Sequence, residues 1–195
     1  AGGVSYNTNV TYDALQNVNG TAYSSTVATR GTIDVNSGGY AQDTVVNGGI
    51  FIVSRGGNVK GTVLRGGREN VSGTDEDATI IGGLQEILSG GVSERAQITG
   101  GRQQVDDGGT SVGAVVSGRG RQEVSGTTRQ TVVKSGGIID IIDNGVAEQT
   151  LLDGGEMNVD FGAVSRNTTI SSGTQSVYGT DTDSTINGGV QQIES

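Results

Sequence analysis

The chain contains no cysteine, proline, histidine or tryptophan. Without cysteine and histidine it cannot build a disulfide framework, or a zinc site with thiolate and imidazole ligands. Without histidine it also lacks the base that activates the nucleophile in Ser-His and Cys-His catalytic sites. These absences exclude those two classes of site. The prediction for the whole chain is a protein that is not an enzyme, with no catalytic residues, no metal site and no cofactor, and the carboxylate-based alternatives are weighed below.

Positive charge and long apolar runs are also scarce. The 12 lysines and arginines are outnumbered by 21 aspartates and glutamates, which gives a net charge of −9. This balance argues against a nucleic-acid partner, because phosphate contacts need clustered basic side chains. No segment approaches the ~20 consecutive apolar residues of a membrane-spanning helix.

Glycine, by contrast, takes 36 of the 195 positions, more than twice the usual share of ~7%. The glycines and the aliphatic residues are periodic. One aliphatic column recurs at steps of 16 to 19 residues, and Gly-Gly pairs such as Gly38-Gly39 separate it from a second column. The first column is Val18, Val35, Val53, Val71, Ile87, Val105, Val124, Ile141, Val159, Val177 and Ile193. The second is Val46, Leu64, Ile81, Ile98, Val116, Val133, Leu152, Ile170 and Ile186.

The residues around each column alternate between inward and outward positions, as in a β-strand. Two positions before the first column, glutamine is the commonest residue, and stacked amide side chains can form a hydrogen-bonded ladder. Glu69 interrupts this ladder and needs a donor or partial exposure. Two positions before the second column, only small residues occur. The first set is Gln16, Ile33, Phe51, Glu69, Gln85, Gln103, Gln122, Ile139, Met157, Gln175 and Gln191. The second is Thr44, Thr62, Thr79, Ala96, Ala114, Thr131, Thr150, Thr168 and Ser184.

A unit of two strands and two glycine turns predicts one coil of a solenoid. The predicted fold is all-β: a single-stranded parallel β-helix (β-solenoid) of about 10–11 coils with an ~18-residue repeat. Strands ~4.8 Å apart then give a rod of about 50 Å. Residues 1–195 form one continuous unit, which starts and ends within a repeat. We therefore expect a fragment of a longer solenoid.

The segment Ser37–Gly49, with its Gly-Gly pairs and the Asp-Thr-Val-Val step between them, resembles the repeats of the AIDA-type self-associating autotransporter adhesins. The resemblance covers essentially the whole chain. It implies a secreted passenger domain, folded as a right-handed β-helix on the bacterial cell surface. It also implies adhesion to a host receptor or glycan, homotypic association leading to autoaggregation and biofilm, and a role in virulence. Family members carry a signal peptide and a C-terminal barrel in the outer membrane. The resemblance therefore predicts an excised passenger whose membrane attachment lies outside this sequence.

The same resemblance implies that a protein heptosyltransferase transfers heptose to serine and threonine hydroxyls. Serines beside the glycine turns are the glycosylation candidates, although serine is also an ordinary turn residue. A further hypothesis is a contact patch formed by Tyr6, Tyr23 and Tyr40, which fall near one edge in neighbouring units. The glycosylation candidates are Ser37, Ser54, Ser72, Ser89, Ser117, Ser125, Ser135, Ser171 and Ser172.

Acidic residues are grouped at positions that we interpret as turns with solvated charge. Calcium binding is the less favoured interpretation, because the equivalent stretches, Gly38–Val46 and Gly108–Val116, lack the glycine at the fourth position of the calcium-binding solenoid motif. An ice-binding surface is disfavoured because the recurring threonine faces inward. The acidic groups are Asp75-Glu76-Asp77, Asp106-Asp107, Asp140 with Asp143, and Asp181 with Asp183.

The alternative function is a β-helix that binds or degrades polysaccharide, such as a lyase, a hydrolase or a tail-spike. Enzymes of this kind build a substrate groove from long loops. Units of only 16 to 19 residues leave no loop long enough for a groove wall, so the adhesin is favoured.

Overall fold

The computed structural model describes residues 2–195, which form 29 β-strands. Every strand pairing among them is parallel, and each strand pairs with its equivalents one repeat before and after. The chain therefore winds as a β-solenoid, as predicted. Eleven strands form one continuous sheet, and each of them opens one coil. We number the coils 1 to 11 from the coil that begins with Val4–Tyr6.

Each coil contains three strands, not the two expected from the sequence. The first strand has three residues and lies in the eleven-stranded sheet. The second and third strands lie in the other sheet and merge into one nine-residue strand in four of the coils. First strands are Val4–Tyr6, Thr21–Tyr23, Tyr40–Gln42, Asn58–Lys60, Thr74–Glu76, Val92–Glu94, Thr110–Val112, Thr127–Arg129, Val146–Glu148, Val164–Arg166 and Thr180–Thr182. Separate second strands are Asn9–Val10, Thr26–Ala28, Thr79–Ile80, Gln97–Ile98, Val115–Val116, Val132–Lys134 and Thr185–Ile186. Separate third strands are Leu15–Val18, Thr32–Val35, Leu84–Ile87, Arg102–Val105, Arg121–Val124, Ile138–Ile141 and Val190–Ile193. Merged strands are Val45–Val53, Val63–Val71, Leu151–Val159 and Thr169–Val177.

The core is a stack of inward columns, and both predicted aliphatic columns line it. From Val18 to Val177 the whole first column is buried, whereas Ile193 in the last coil is exposed. The second column was wrong in coil 5. Ile80, not Ile81, stacks between Leu64 and Ile98, and Ile81 is 50% exposed.

The column of small residues needs the same correction in coil 5, where Ala78 is buried and Thr79 faces outward. Elsewhere it is confirmed, since Thr44, Thr62 and Thr150 are each 1% exposed. The inward direction of these threonines agrees with the argument against an ice-binding surface.

A third inward column, formed by the middle residues of the first strands, was not predicted from the sequence. Apart from Val59 these residues are small or acidic, so they give no recurring aliphatic signal. They are Ser5, Ala22, Ala41, Val59, Asp75, Ser93, Ser111, Thr128, Ala147, Ser165 and Asp181.

Each coil has three corners, which we name first, second and third after the strand that each follows. In the four coils with a merged strand, the second corner is the bend inside that strand, where the pairing register shifts. The first corner uses one residue with positive φ in all eleven coils, and most of these residues are not glycine. Gly-Gly pairs occur at the third corner, as in Gly38-Gly39, and at the second corner, as in Gly154-Gly155. There a Cβ on Gly155 would lie 2.4 Å from Val133 Cγ1, so only glycine allows the coils to stack this closely. The first-corner residues are Asn7, Ser24, Asp43, Gly61, Asp77, Arg95, Gly113, Gln130, Gln149, Asn167 and Asp183.

Candidate functional site

All nine candidate serines lie at corners, and the structure separates them into two groups. The group on the third corner follows one edge of the rod through coils 2 to 5 and returns in coil 7. The group on the second corner lies at the other end of the third strands, in coils 7, 8 and 10. The third-corner serines are Ser37, Ser54, Ser72, Ser89 and Ser125. The second-corner serines are Ser117, Ser135, Ser171 and Ser172.

The third-corner hydroxyls differ in their surroundings. Ser37 and Ser89 are exposed, and each lies beside a glycine of the next coil. A Cβ on Gly56 would come within 2.7 Å of Ser37 Oγ, so glycine at this position leaves the hydroxyl uncovered. Ser54 is half-buried and donates a hydrogen bond of 2.9 Å to Asp34 Oδ1. The exposed hydroxyls are therefore the more accessible to a modifying enzyme.

The three predicted contact tyrosines lie together on the outer face of the first strands in coils 1 to 3. The rings of Tyr6 and Tyr23 stack with centroids 5.2 Å apart. Tyr40 meets Tyr23 edge to face at 6.5 Å, and its hydroxyl donates to Gln42. Tyr6 is 67% exposed, so the row presents an aromatic surface to solvent.

Inside the rod, the glutamine ladder forms hydrogen bonds with residues of the third inward column. Gln122 Nε2 donates to Gln103 Oε1 at 2.6 Å, and Gln103 Nε2 donates to Gln85 Oε1 at 2.6 Å. The facing serines complete the contacts, since Gln103 also donates to Ser93 and accepts from Ser111. The amides of coils 5 to 7 therefore all point in the same direction along the rod.

This chain of amides ends on two buried carboxyl groups. Gln85 Nε2 donates to Glu69 Oε2 at 2.9 Å and to Asp75 Oδ2 at 2.5 Å. Both acids are 0% exposed. Glu69 is thus the end of the ladder, with Gln85 as the donor that it requires. The interpretation of Asp75 as a solvated turn charge was wrong, because it lies in the third inward column. Asp140 is likewise only 7% exposed, so it too is not a solvated turn charge.

The two carboxyl groups are electrostatically costly. Burial raises the pKa of Glu69 to about 7, whereas the hydrogen bond from Gln85 lowers it. Burial also raises the pKa of Asp75 well above its ordinary value, and the nearby Glu69 raises it further. Among residues 2–195, Glu69 Oε1 and Asp75 Oδ1 have no hydrogen-bond partner. Burial and the proximity of the two groups therefore both favour the protonated form of the pair.

Charged side chains form a separate network on the outside of coils 4 to 6, at the first corner. Arg95 Nε donates to Asp77 Oδ1 at 2.8 Å, and Lys60 Nζ lies 3.4 Å from Asp77 Oδ2. The hydrogen bond from Arg95 holds the pKa of Asp77 below its usual value. Such exposed pairs contribute little to stability.

An exposed aromatic site that the sequence analysis did not single out lies at the third corner of coils 8 to 10. Phe161 is 89% exposed, and with Ile142 and Tyr178 it lines a surface hollow of about 490 Å³. Asp143 and Asp160 border this hollow. Aromatic faces beside carboxylate acceptors can bind a sugar ring.

Within residues 2–195, no three His, Cys, Asp or Glu side chains lie close enough together to hold a metal ion. The same residues form no helix that is long and apolar enough to cross a membrane.

Comparison with known proteins finds a close structural counterpart. No family model and no curated protein matches the sequence. The structure is similar to the crystal structure of a TibA fragment that was hyper-glycosylated by TibC catalysis, with a TM-score of 0.90 and 29% sequence identity. The match covers 99% of this chain and 82% of that one. This likeness supports the β-helix adhesin family that the repeats resemble.

Proposed function

We propose that this chain is the passenger region of a cell-surface adhesin, which associates with copies of itself, adheres to host cells and carries heptose on its corner serines. The observation that carries the proposal is the likeness to a hyper-glycosylated β-helix over 99% of the chain, together with serines along two edges of the rod. A rigid rod with short corners displays chemical groups at regular spacing, and it lacks the loops that enclose a substrate.

Glycosylation is tested by expressing the chain with and without TibC and measuring its intact mass. We expect a series of added heptose masses only in the presence of the enzyme. Two alanine variants divide the acceptors: one replaces the five third-corner serines, the other the four second-corner serines. Each variant should lose part of the series, in proportion to the accessible hydroxyls on its edge. An unshifted wild-type mass would remove glycosylation from the proposal.

Adhesion to host cells is assigned to the exposed aromatic row of Tyr6, Tyr23 and Tyr40. Aromatic side chains supply large contact areas at low entropic cost, which suits a receptor or glycan surface. Replacing all three with serine should reduce binding of the purified rod to host cells. Tyr12→Ser is the matched control, because Tyr12 is 85% exposed and lies outside the row. Equal effects of the two changes would contradict the assignment.

We place the protein outside the cell, attached to the bacterial outer membrane through a translocator that lies outside this sequence. Surface labelling of intact bacteria that express the complete gene tests this location. Labelling only after lysis would contradict it.

A second candidate function is polysaccharide binding, and the hollow beside Phe161 favours it. Phe161 and Tyr178 offer aromatic faces, while Asp143 and Asp160 offer hydrogen-bond acceptors for sugar hydroxyls. A glycan array probed with wild type and Phe161→Ala tests this function. Polysaccharide binding that is lost in the variant would support it, whereas the absence of any binding would leave the adhesive rod alone.

A further inference from the structure

The outer face of the third strands in coils 4 to 8 is divided lengthwise by charge. The half towards the second corner, with that corner, carries six cations and no carboxylate. The half towards the third corner, with that corner, carries six carboxylates. The cationic half consists of Arg65, Arg68, Arg102, Arg119, Arg121 and Lys134. The anionic half consists of Glu86, Asp106, Asp107, Glu123, Asp140 and Asp143.

Near the dividing line the two halves neutralise each other within one molecule. Arg121 Nε lies 2.8 Å from Asp140 Oδ2, and Arg102 Nη1 lies 3.0 Å from Glu123 Oε2. Arg68 pairs with Glu86 in the same way. Because these charges are paired within one molecule, they contribute little to the attraction of a partner.

At the outer edges the charges remain unpaired. Arg65, Arg119 and Lys134 are exposed, and none of them takes part in an ion pair among residues 2–195. On the opposite edge Asp107 and Asp143 are exposed and Asp106 is half-buried, and none of the three takes part in an ion pair among residues 2–195. Asp106 accepts a hydrogen bond from Gln104, and Asp143 accepts one from Ser125. The molecule thus presents a free cationic edge and a free anionic edge on the two sides of one face.

We infer that this face is the self-association surface and that its partner is a second copy of the chain in parallel orientation. A rotation of 180° about a line parallel to the rod axis keeps both rods pointing the same way and reverses the strand direction. The second corner of one copy then faces the third corner of its partner, so cations meet carboxylates on both sides. A rotation about a line parallel to the strands makes the rods antiparallel and places cations against cations.

The size of the face indicates a weak contact. Five coils span roughly 20 Å and a third strand with its corners a similar width, on the order of 400 Å² per copy. This is about half of the area that a stable interface buries per partner. Many copies anchored side by side on a cell would compensate by avidity. This inference rests on the self-association proposed above and specifies its surface and orientation.

Charge-exchange variants test the surface by sedimentation at low salt. The acidic-edge variant carries Asp106→Lys, Asp107→Lys and Asp143→Lys; the basic-edge variant carries Arg65→Glu, Arg119→Glu and Lys134→Glu. Each variant alone should associate at least about tenfold more weakly than wild type, because like charges now meet. A mixture of the two should recover the wild-type affinity. A control with Asp43→Lys, Glu94→Lys and Asp183→Lys changes the net charge by the same amount as the acidic-edge variant, away from the face, and should retain wild-type association.

Cysteine cross-linking tests the orientation, because the natural chain has no cysteine. Ser135 and Asn144 are exposed on opposite edges of coil 8. Ser135→Cys mixed with Asn144→Cys should give a disulfide-linked dimer, whereas neither variant alone should do so. If wild type is monomeric at every concentration, proposed self-association and this inference both fail. If wild type associates but the exchanges have no effect, the mixture does not recover, or the mixed cysteines do not cross-link, only this inference fails.

Discussion

Coils 2 and 3 have the same backbone path as coils 5 to 7 but differ in the side chains that fill the interior. In coils 2 and 3 the third strand contributes Ile33 and Phe51, which face Ala22 and Ala41. In coils 5 to 7 the same position is glutamine, and it faces aspartate or serine. The first region is held by apolar contact, the second by a continuous hydrogen-bonded network.

The comparison shows that two inward columns are chosen as a pair. A buried amide must find partners, and the facing serine or aspartate provides them. Gln16 pairs with Ser5 and Gln175 with Ser165, so the rule extends to coils 1 and 10. Where the large residue is apolar, as at Met157, the facing residue is Ala147. Coils 4 and 8 depart from this pairing, and their polar residues find partners elsewhere. Glu69, in a coil with Val59, bonds to Gln85 of the next coil, and Thr128, in a coil with Ile139, bonds to Thr131.

The largest effect is expected in the apolar region. Phe51→Ala removes a fully buried ring from a stack that cannot collapse around it. We expect the free energy of unfolding to fall by about 3–5 kcal/mol, measured by urea denaturation. Ile50→Ala is the control, because Ile50 is the outward neighbour and is 43% exposed. Similar losses in both variants would contradict an apolar core in this region.

In the polar region, Gln103→Leu keeps most of the volume and removes the hydrogen bonds. Gln122 and Ser111 lose their acceptor, and Gln85 loses its donor. We expect a loss of about 2–3 kcal/mol in the same assay, since buried groups are left unpaired. Met157→Leu at the equivalent apolar position should cost less than about 1.5 kcal/mol. If both changes lower the free energy of unfolding equally, the hydrogen-bonded network does not stabilise the polar coils.

The buried acid pair makes the polar region sensitive to pH. Glu69 has a pKa of about 7 when folded against 4.5 as an ordinary carboxyl, so the folded state binds its proton more tightly. This contribution to stability is fully present below pH 4.5 and is lost as the pH rises through about 7. Over this window we expect wild type to lose about 3 kcal/mol.

Glu69→Gln should remove the part of this dependence that comes from Glu69 and stabilise the rod at pH 8, because the ladder then ends on a neutral amide. The buried Asp75 still titrates in the variant. Unfolding measured from pH 4 to pH 8 tests both expectations. Asp107→Asn, an exposed carboxyl, should leave the wild-type profile unchanged. A variant profile as steep as that of wild type would show that Glu69 is not the titrating group.

The smallest effect concerns the first corner, which both regions share. Gln149 has a φ of 58°, which costs a residue with a side chain roughly 1 kcal/mol. Gln149→Gly should relieve this cost and stabilise the rod by about 0.5 kcal/mol after the entropic penalty of glycine. Gln97→Gly, in a second strand, should destabilise it instead. A shift of the melting temperature in the same direction for both variants would contradict this expectation.

The repeat was predictable because large aliphatic residues alternate and recur at a nearly constant step. The same signal failed in coil 5, where Ile80 and Ile81 are adjacent and a short unit shifts the spacing. Only the pairing of Ile80 with Leu64 and Ile98 selects the inward residue. Asp75 was misassigned because it lies within a run of three acidic residues, a pattern typical of a solvated turn. The candidate serines lie at corners of the coils, and their division between two edges depends on the third strand, which separates the second corner from the third.

Local spacing and side-chain alternation were thus sufficient to predict the solenoid, its columns and its glycine corners, because each coil repeats the same short-range pattern. The third inward column, the acid pair at the end of the glutamine ladder and the divided charge of the outer face depend on contacts between coils. Residues such as Glu69 and Gln85 are 16 positions apart in the chain yet share a hydrogen bond. Their environment arises only when the coils stack, since burial and neighbouring charge are properties of the assembled rod.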